Sequence, residues 1–475
     1  MKNYYSRRHG FKYYFKLLTV LCILGVGGFY ADDIQSYFKR IDADKILAQS
    51  TLKDKTFSNR VQEIKAGGLH AWLMEEHSVP IVSIDFEFTG AGSAQEDEDK
   101  QGLTDLLETL LLDGAGKYDA ESFKETCEEY GIKIGFSADD DSLGGQLHTP
   151  RKNLDKALEM LNVVLQSPRF DDKYVDLRKQ QIKTSIKISM EKPGAILADE
   201  FAEFIFAGHP YSRRQTAKLE TLDNVTTQDL KDFMYSHLTR KNLIISFAGD
   251  ISVKEVKNIL KNPFAELPER YSGEKMSEIH LELGGRQQNI NYDSAQSISA
   301  FAGNGTRREN IDFYPLYLAN YIFGGSGLNS RISQVIREKE GLTYGISTSL
   351  VQKDAAALLE GSYSSTPENF DKAQKLLLRE WKKMAEEGVS EEELQQAKDA
   401  LVYSFNLRFA SVSGIASMLT GMQRYNLGRD FLEKRNDYIK AVTLEEVNAA
   451  AKKYFGVTPD FVNIGIEKGE GNVRK

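Results

Sequence analysis

The chain has 475 residues, 41% of them hydrophobic and 27% charged, with only ten prolines. That balance suits roughly two to four ordered domains and excludes long disordered tracts. Acidic residues outnumber basic ones, 69 to 61, and the formal charge of −8 argues against a nucleic-acid partner.

In chain order, Lys2, Arg7, Arg8, Lys12 and Lys16 form a basic head, and Leu17 to Ala31 follow as an almost unbroken apolar run of 15 residues. A full membrane span needs about 20 residues, so this length better fits a signal-peptide core. Residues 1–31 are therefore expected to direct export, with an uncleaved inner-membrane anchor through residues 17–31 as the open alternative. Either places the rest of the chain in the periplasm or facing it. Removal of the leader takes Cys22 with it and leaves Cys127 alone, so no intramolecular disulfide is expected. Cys127 stands at helical spacing from Phe123 and Tyr130, which predicts a thiol packed among apolar side chains.

Residues 32–60 are charged and helix-prone and read as a polar stalk. From Ile81 to Phe88 the sequence alternates apolar and polar residues, predicting a strand with one buried face that breaks at Thr89-Gly90-Ala91-Gly92. Helices are predicted over Leu103–Leu112, Glu121–Tyr130 and Leu154–Leu165, the last with Leu154, Ala157, Leu158, Leu161 and Leu165 on one face. Strands and helices mix without the regular alternation of a parallel sheet, so the predicted fold class is α+β.

A long-period echo organises the chain. Phe88-Thr89-Gly90-Ala91-Gly92 returns as Phe301-Ala302-Gly303-Asn304-Gly305, and Val225-Thr226-Thr227-Gln228-Asp229-Leu230 returns as Val442-Thr443-Leu444-Glu445-Glu446-Val447. Both copies of the second motif read as a helix start, with a Thr cap and an acidic residue three positions on. Each runs on to an apolar strand, Leu243 to Ala248 and Phe461 to Ile466. Two homologous halves are predicted, 61–262 and 286–470, joined by a linker over 263–285.

The helix that opens after Gly102 places Asp105, Glu108 and Thr109 on one face, since residues three and four apart are neighbours. No two of the seven histidines lie four apart, and no nucleophile elbow, P-loop or Cys-x-x-Cys is present. In this frame the Gly102 to Gly114 segment resembles the inverted zinc motif H-x-x-E-H of the pitrilysin-type (M16) metallopeptidase family, in which two histidines bind zinc and the glutamate activates water. Here Asp105 and Thr109 hold the histidine positions, and only Glu108 survives. The family's third ligand, a glutamate, falls on Ser185, and Gly208-His209-Pro210-Tyr211, similar to a downstream family signature, leads back to the same serine. His209 itself reads as structural. A catalytic zinc needs three ligands drawn mostly from His, Cys, Asp and Glu. Asp105 alone qualifies among the three positions, so the resemblance implies a dismantled metal site and no metal bound by this chain. A harder cation held by Asp105 and Glu108 is the weaker reading, because paired carboxylates on a helix face are usually solvated.

The second half carries Ile322-Phe323-Gly324-Gly325-Ser326-Gly327-Leu328-Asn329-Ser330-Arg331, then Ile336-Arg337 through Leu342-Thr343-Tyr344-Gly345. This stretch resembles the family's C-terminal signature, whose Arg and Tyr, seven residues apart, help to hold the substrate carbonyl. Arg337 and Tyr344 occupy those positions. Gly324, Gly325 and Gly327 resemble a shortened form of the glycine-rich substrate loop of the non-catalytic subunit of mitochondrial processing peptidase. The resemblance spans about residues 60–467. It implies two homologous half-domains, each a mostly antiparallel sheet packed by helices. It also implies a heterodimer with a zinc-bearing homologue, to which this chain supplies Arg337 and Tyr344 for peptide hydrolysis. Peptide substrate would bind by adding a strand to a sheet edge. Two alternatives remain open: an inactive structural or peptide-binding homologue like the respiratory-complex core subunits, and an independent peptidase with an atypical metal site.

Overall fold

The computed structural model describes residues 60–465, so the leader, the 17–31 anchor and nearly all of the predicted stalk lie outside the described residues. Among the described residues no helix is long and apolar enough to cross a membrane. Strands and helices build an α+β fold around two sheets.

The first sheet comprises β1 (Val61–Ala66), β2 (Leu69–Glu75), β3 (Ile81–Thr89), β6 (Lys133–Ala138), β7 (Ser142–Pro150) and β8 (Leu243–Gly249), in the order β1-β2-β8-β3-β7-β6. Between β3 and β6 in the chain, β4 (Gly114–Ala115) and β5 (Tyr118–Asp119) form a separate two-stranded ribbon. The second sheet comprises β9 (Gln287–Ile290), β10 (Ser297–Asn304), β11 (Gly345–Gln352), β12 (Ala357–Ser365) and β13 (Asp460–Ile464), in the order β11-β12-β10-β13-β9. The two repeat one topology. β3 pairs antiparallel with β7 and β8, β7 carries β6, and β8 runs parallel to β2. Likewise β10 pairs antiparallel with β12 and β13, β12 carries β11, and β13 runs parallel to β9. Among the described residues β1 has no counterpart in the second sheet.

The predicted alternation survives in β3, where Val82, Ile84, Phe86 and Phe88 are buried and Asp85 and Glu87 face the other way, half-buried. Phe86 lies over Gly145 of β7, where an added Cβ would stand 2.2 Å from the ring; Phe301 lies over Gly361 of β12 at the same 2.2 Å. Structure therefore matches Phe86, not Phe88, with Phe301. The sequence pairing was two residues out of frame, a slip that a period-two pattern cannot reveal because it leaves every side chain on its own face. The second echo is in register: Thr226 with Asp229, and Thr443 with Glu446, both form full capping boxes. Predicted helices appear as Leu103–Leu110, Ala120–Tyr130 and Leu154–Gln166. Cys127 packs half-buried against the first core, and burial pushes its thiol up to about 11.

Sequence periodicity gave no sign of an exchange of helices between the halves. The Pro193–Ile205 helix, encoded in the first half, lays Leu197, Phe201 and Ile205 against Ala302, Val462 and Ile464 of β10 and β13. In return the Val412–Arg424 helix, from the second half, covers β8 and β3 with Ile415, Ala416, Leu419 and Met422. Gln423 fastens it by donating to Ile245 O (2.9 Å) and Ser246 Oγ (2.8 Å). Each sheet thus buries part of its apolar face only with the other half present.

Equivalent hairpin tips of the two halves also meet. Lys353 pairs with Asp140, Asp354 N–H donates to Asp141 (3.0 Å), and the Tyr211 hydroxyl donates to Asp141 while accepting from Ala355 N–H (3.1 Å). The irregular segment between the halves is strapped to both: Tyr271 donates to Gly90 O (2.9 Å), and Ile279 N–H donates to Ala355 O (2.9 Å).

Candidate functional site

The Leu103–Leu110 helix buries Leu103, Leu106, Leu107 and Leu110 in the first core, which turns Asp105, Glu108 and Thr109 toward its outer side. Gly102 precedes it with φ +96°, a left-handed conformation that favours glycine. The helix start is closed by Glu96, whose carboxylate accepts from Gly102 N–H (2.9 Å), Thr104 N–H (2.7 Å) and the Thr104 hydroxyl (2.7 Å). An anion at a helix N-terminus is stabilised there, yet Glu96 is only 4% exposed, and burial pushes its pKa up against those hydrogen bonds.

Lys218, at the start of the one-turn Lys218–Thr221 helix, completes this arrangement. It is 6% exposed and forms an ion pair with Asp105. Its charge also acts on Glu96 and Glu108. One buried ammonium thus serves three carboxylates. Glu108 has a second commitment, accepting from Ala138 N–H at the end of edge strand β6 (2.6 Å). Burial raises the Glu108 pKa, and the neighbouring Asp105 charge adds to the rise.

Thr109 turns its hydroxyl back into the helix, donating to Leu106 O (2.9 Å). Ser185 lies exposed on the Asp172–Ser189 helix, which packs beside the Leu103–Leu110 helix and pairs Arg178 with Asp113 through two bonds of 2.6 and 2.7 Å. Two hydroxyls, one paired aspartate and a buried ammonium do not fit zinc, which takes thiolate, imidazole or free carboxylate donors and is repelled by a neighbouring cation. Among the described residues no group of three or more His, Cys, Asp or Glu side chains is placed to hold a metal ion.

The second set of residues gathers elsewhere. Arg337 sits on the wide helical turn Ser333–Lys339, about a third exposed, and among the described residues its one ion-pair neighbour is Glu338 at 3.6 Å. It lines a cleft of about 560 Å³ together with Gly327, Leu328, Gly345 and Ser347. Tyr344, 64% exposed, immediately precedes Gly345, and its N–H donates to Ser364 O (3.3 Å) at the mouth of edge strand β11. The three glycines separate. Gly324 is buried against Thr348 of β11, where a Cβ would meet the hydroxyl at 2.3 Å, so close packing requires it. Gly325 is exposed beside Asn320, and Gly327 is exposed with φ +65° at the cleft. Among the described residues no hydrogen bond or ion pair joins the Asp105–Glu108 set to the Arg337–Tyr344 set. His209 accepts from Tyr211 N–H (3.2 Å), a turn-forming contact.

Lys218, Glu96 and the Ala138 N–H escaped the sequence reading. Lys218 lies 113 residues from Asp105, and a lone lysine carries no spacing signal.

Residues 75–217 match the family described as Insulinase (Peptidase family M16), and residues 224–401 match the family described as Peptidase M16 inactive domain. An uncharacterized zinc protease of Rickettsia felis is 26% identical over 314 residues, 66% of this chain and 75% of that protein. The non-peptidase homolog YmxG of Helicobacter pylori is 23% identical over 401 residues, 83% of this chain and 90% of that protein. The crystal structure of a peptidase M16 inactive domain from Pseudomonas fluorescens superposes with a TM-score of 0.80 at 24% identity, covering 87% of this chain and all of that one, which shows the shared fold. With one topology repeated in both halves and family matches running through each, the chain belongs to the peptidase M16 family.

Proposed function

We propose that this protein is the non-catalytic subunit of a two-chain M16 zinc metalloendopeptidase, holding no metal itself and supplying Arg337 and Tyr344 to a zinc-bearing homologue. The observation that carries this reading is the fate of the Leu103–Leu110 helix. Asp105 is paired with the buried Lys218, Glu108 is bonded to Ala138 N–H, and the remaining ligand positions offer only hydroxyls. Arg337, in contrast, lines a cleft with only a long contact to Glu338 among the described residues, and Tyr344 stands solvent-exposed next to Gly345 of the same cleft. When water attacks a peptide carbonyl, negative charge gathers on oxygen, and a guanidinium with a phenolic hydroxyl stabilises it. The Arg337 cleft lies beside the free edge of β11, where an extended peptide can add as a strand. The basic head and the Leu17–Ala31 run support export, with the complex in the periplasm or anchored to the inner membrane.

The test is reconstitution with a homologue that keeps H-x-x-E-H. Peptide hydrolysis by the pair should fall on the order of 10²–10³-fold when this chain carries Arg337→Ala with Tyr344→Phe, the cost of losing donors to a developing oxyanion, while the pair stays associated. Unchanged hydrolysis would favour the structural or peptide-binding reading. Chelator-sensitive hydrolysis by this chain alone would establish an independent peptidase instead.

A further inference from the structure

Away from both sets of residues, three arginines converge without a counter-ion among the described residues. The Arg308 guanidinium stands 4.8 Å from the Phe313 ring, 5.5 Å from Phe431 and 5.7 Å from Tyr425, and its Nε is buried with no hydrogen-bond partner. Arg435, 8% exposed, stacks on Phe405 at 4.2 Å and donates to Leu401 O (3.1 Å) and Asn436 Oδ1 (3.0 Å). Arg408 is exposed and close enough to both for their charges to oppose one another. Among the described residues none of the three forms an ion pair with a carboxylate, although most arginines elsewhere in the fold do. Burial pushes the pKa of Arg308 and Arg435 down, as expected where no carboxylate compensates the charge.

The charges of Arg308 and Arg435 both act on Tyr314, whose ring packs 5.5 Å from that of Tyr438. Around them the surface is aromatic: Tyr438 is 42% exposed and Tyr425 43%. Tyrosine and arginine together are the composition enriched at protein interface hot spots.

We propose that the patch centred on Arg308, Arg408 and Arg435, with Tyr425 and Tyr438, is a docking surface for an acidic segment of another polypeptide. Carboxylates would take the positions that no acidic side chain among the described residues fills, while apolar residues between them would lie on the tyrosine rings. A short segment fits better than an extended polyanion. The chain as a whole carries −8, so a nucleic acid or an anionic bilayer reaching past the patch meets repulsion that a short acidic segment avoids.

The experiment uses the purified protein and fluorescence anisotropy of a fluorescein-labelled peptide in which glutamates alternate with tyrosine and leucine. Binding should saturate, weaken with added salt, and weaken by about tenfold in Arg408→Glu, an exposed position whose change leaves the circular dichroism and melting midpoint unaltered. Tyr438→Ser, also at the surface, should weaken it in the same direction, and the same peptide with lysine for glutamate should not bind. Absence of saturable binding, equal binding by Arg408→Glu, or tighter association with phosphatidylglycerol vesicles than with the peptide would each overturn the assignment.

Discussion

Replacing Lys218 by methionine removes the ammonium that acts on Glu96, Asp105 and Glu108 while keeping most of the side-chain volume. Breaking a buried ion pair from one side costs about 3–5 kcal/mol, because the abandoned charge stays desolvated. Lys218 is buried, but the Asp105 side chain is 30% exposed and regains some water, which places the expected loss near the low end, about 3 kcal/mol. Glu96, at 4% exposure, gains nothing from water and loses the nearest positive charge. Urea denaturation of Lys218→Met should show this loss as a shifted midpoint. Lys218→Met combined with Asp105→Leu should recover most of it, since an apolar pair can replace a buried ion pair at little cost. Equal stability of Lys218→Met and wild type, or strictly additive effects in the double variant, would refute the view that the ammonium neutralises this site.

Three further outcomes follow from the same geometry. Asp105→His, Thr109→His and Ser185→Glu together should bind no stoichiometric zinc while Lys218 remains, and should gain it once Lys218→Ala is added; plasma emission metal analysis distinguishes the two, and zinc binding in the triple variant alone would count against the lysine. Glu108 has its folded pKa raised, so its ionisation is less favourable in the folded state, and its contribution to stability falls as pH rises from the ordinary carboxylate range through that raised value. Glu108→Gln, which keeps an acceptor for Ala138 N–H, should flatten that part of the stability–pH profile; an unchanged slope would contradict the assignment. Leu419→Ala, at a fully buried position on the exchanged Val412–Arg424 helix, should cost about 2–5 kcal/mol, measured by denaturation, with less than about 1 kcal/mol pointing to a helix that is not docked on the first sheet.

Much of the fold was legible because its signals are local. Alternation in Ile81–Phe88, the Thr226 and Thr443 caps and the leucine face of Leu154–Leu165 each depend on a few adjacent residues, and each element formed where expected. The exchange of helices was not legible, since amphipathic spacing fixes which face is buried but not which sheet buries it. The same limit applies to the site. Asp105 and Thr109, four residues apart on one helix, align with a ligand pair only through the family resemblance, whereas Lys218 and the β6 backbone that bond Asp105 and Glu108 come from distant chain segments. The substrate-loop expectation splits for a related reason: a glycine required by a neighbour, as Gly324 is by Thr348, looks the same in sequence as one left open to a ligand.

Metal content most directly tests the division of labour proposed for the two chains. Purified alone, this protein should carry no zinc above background after dialysis against a zinc-containing buffer, and its complex with an H-x-x-E-H homologue should carry one zinc per pair. One zinc per chain in the isolated protein, lost on changing Asp105 or Glu108, would contradict it.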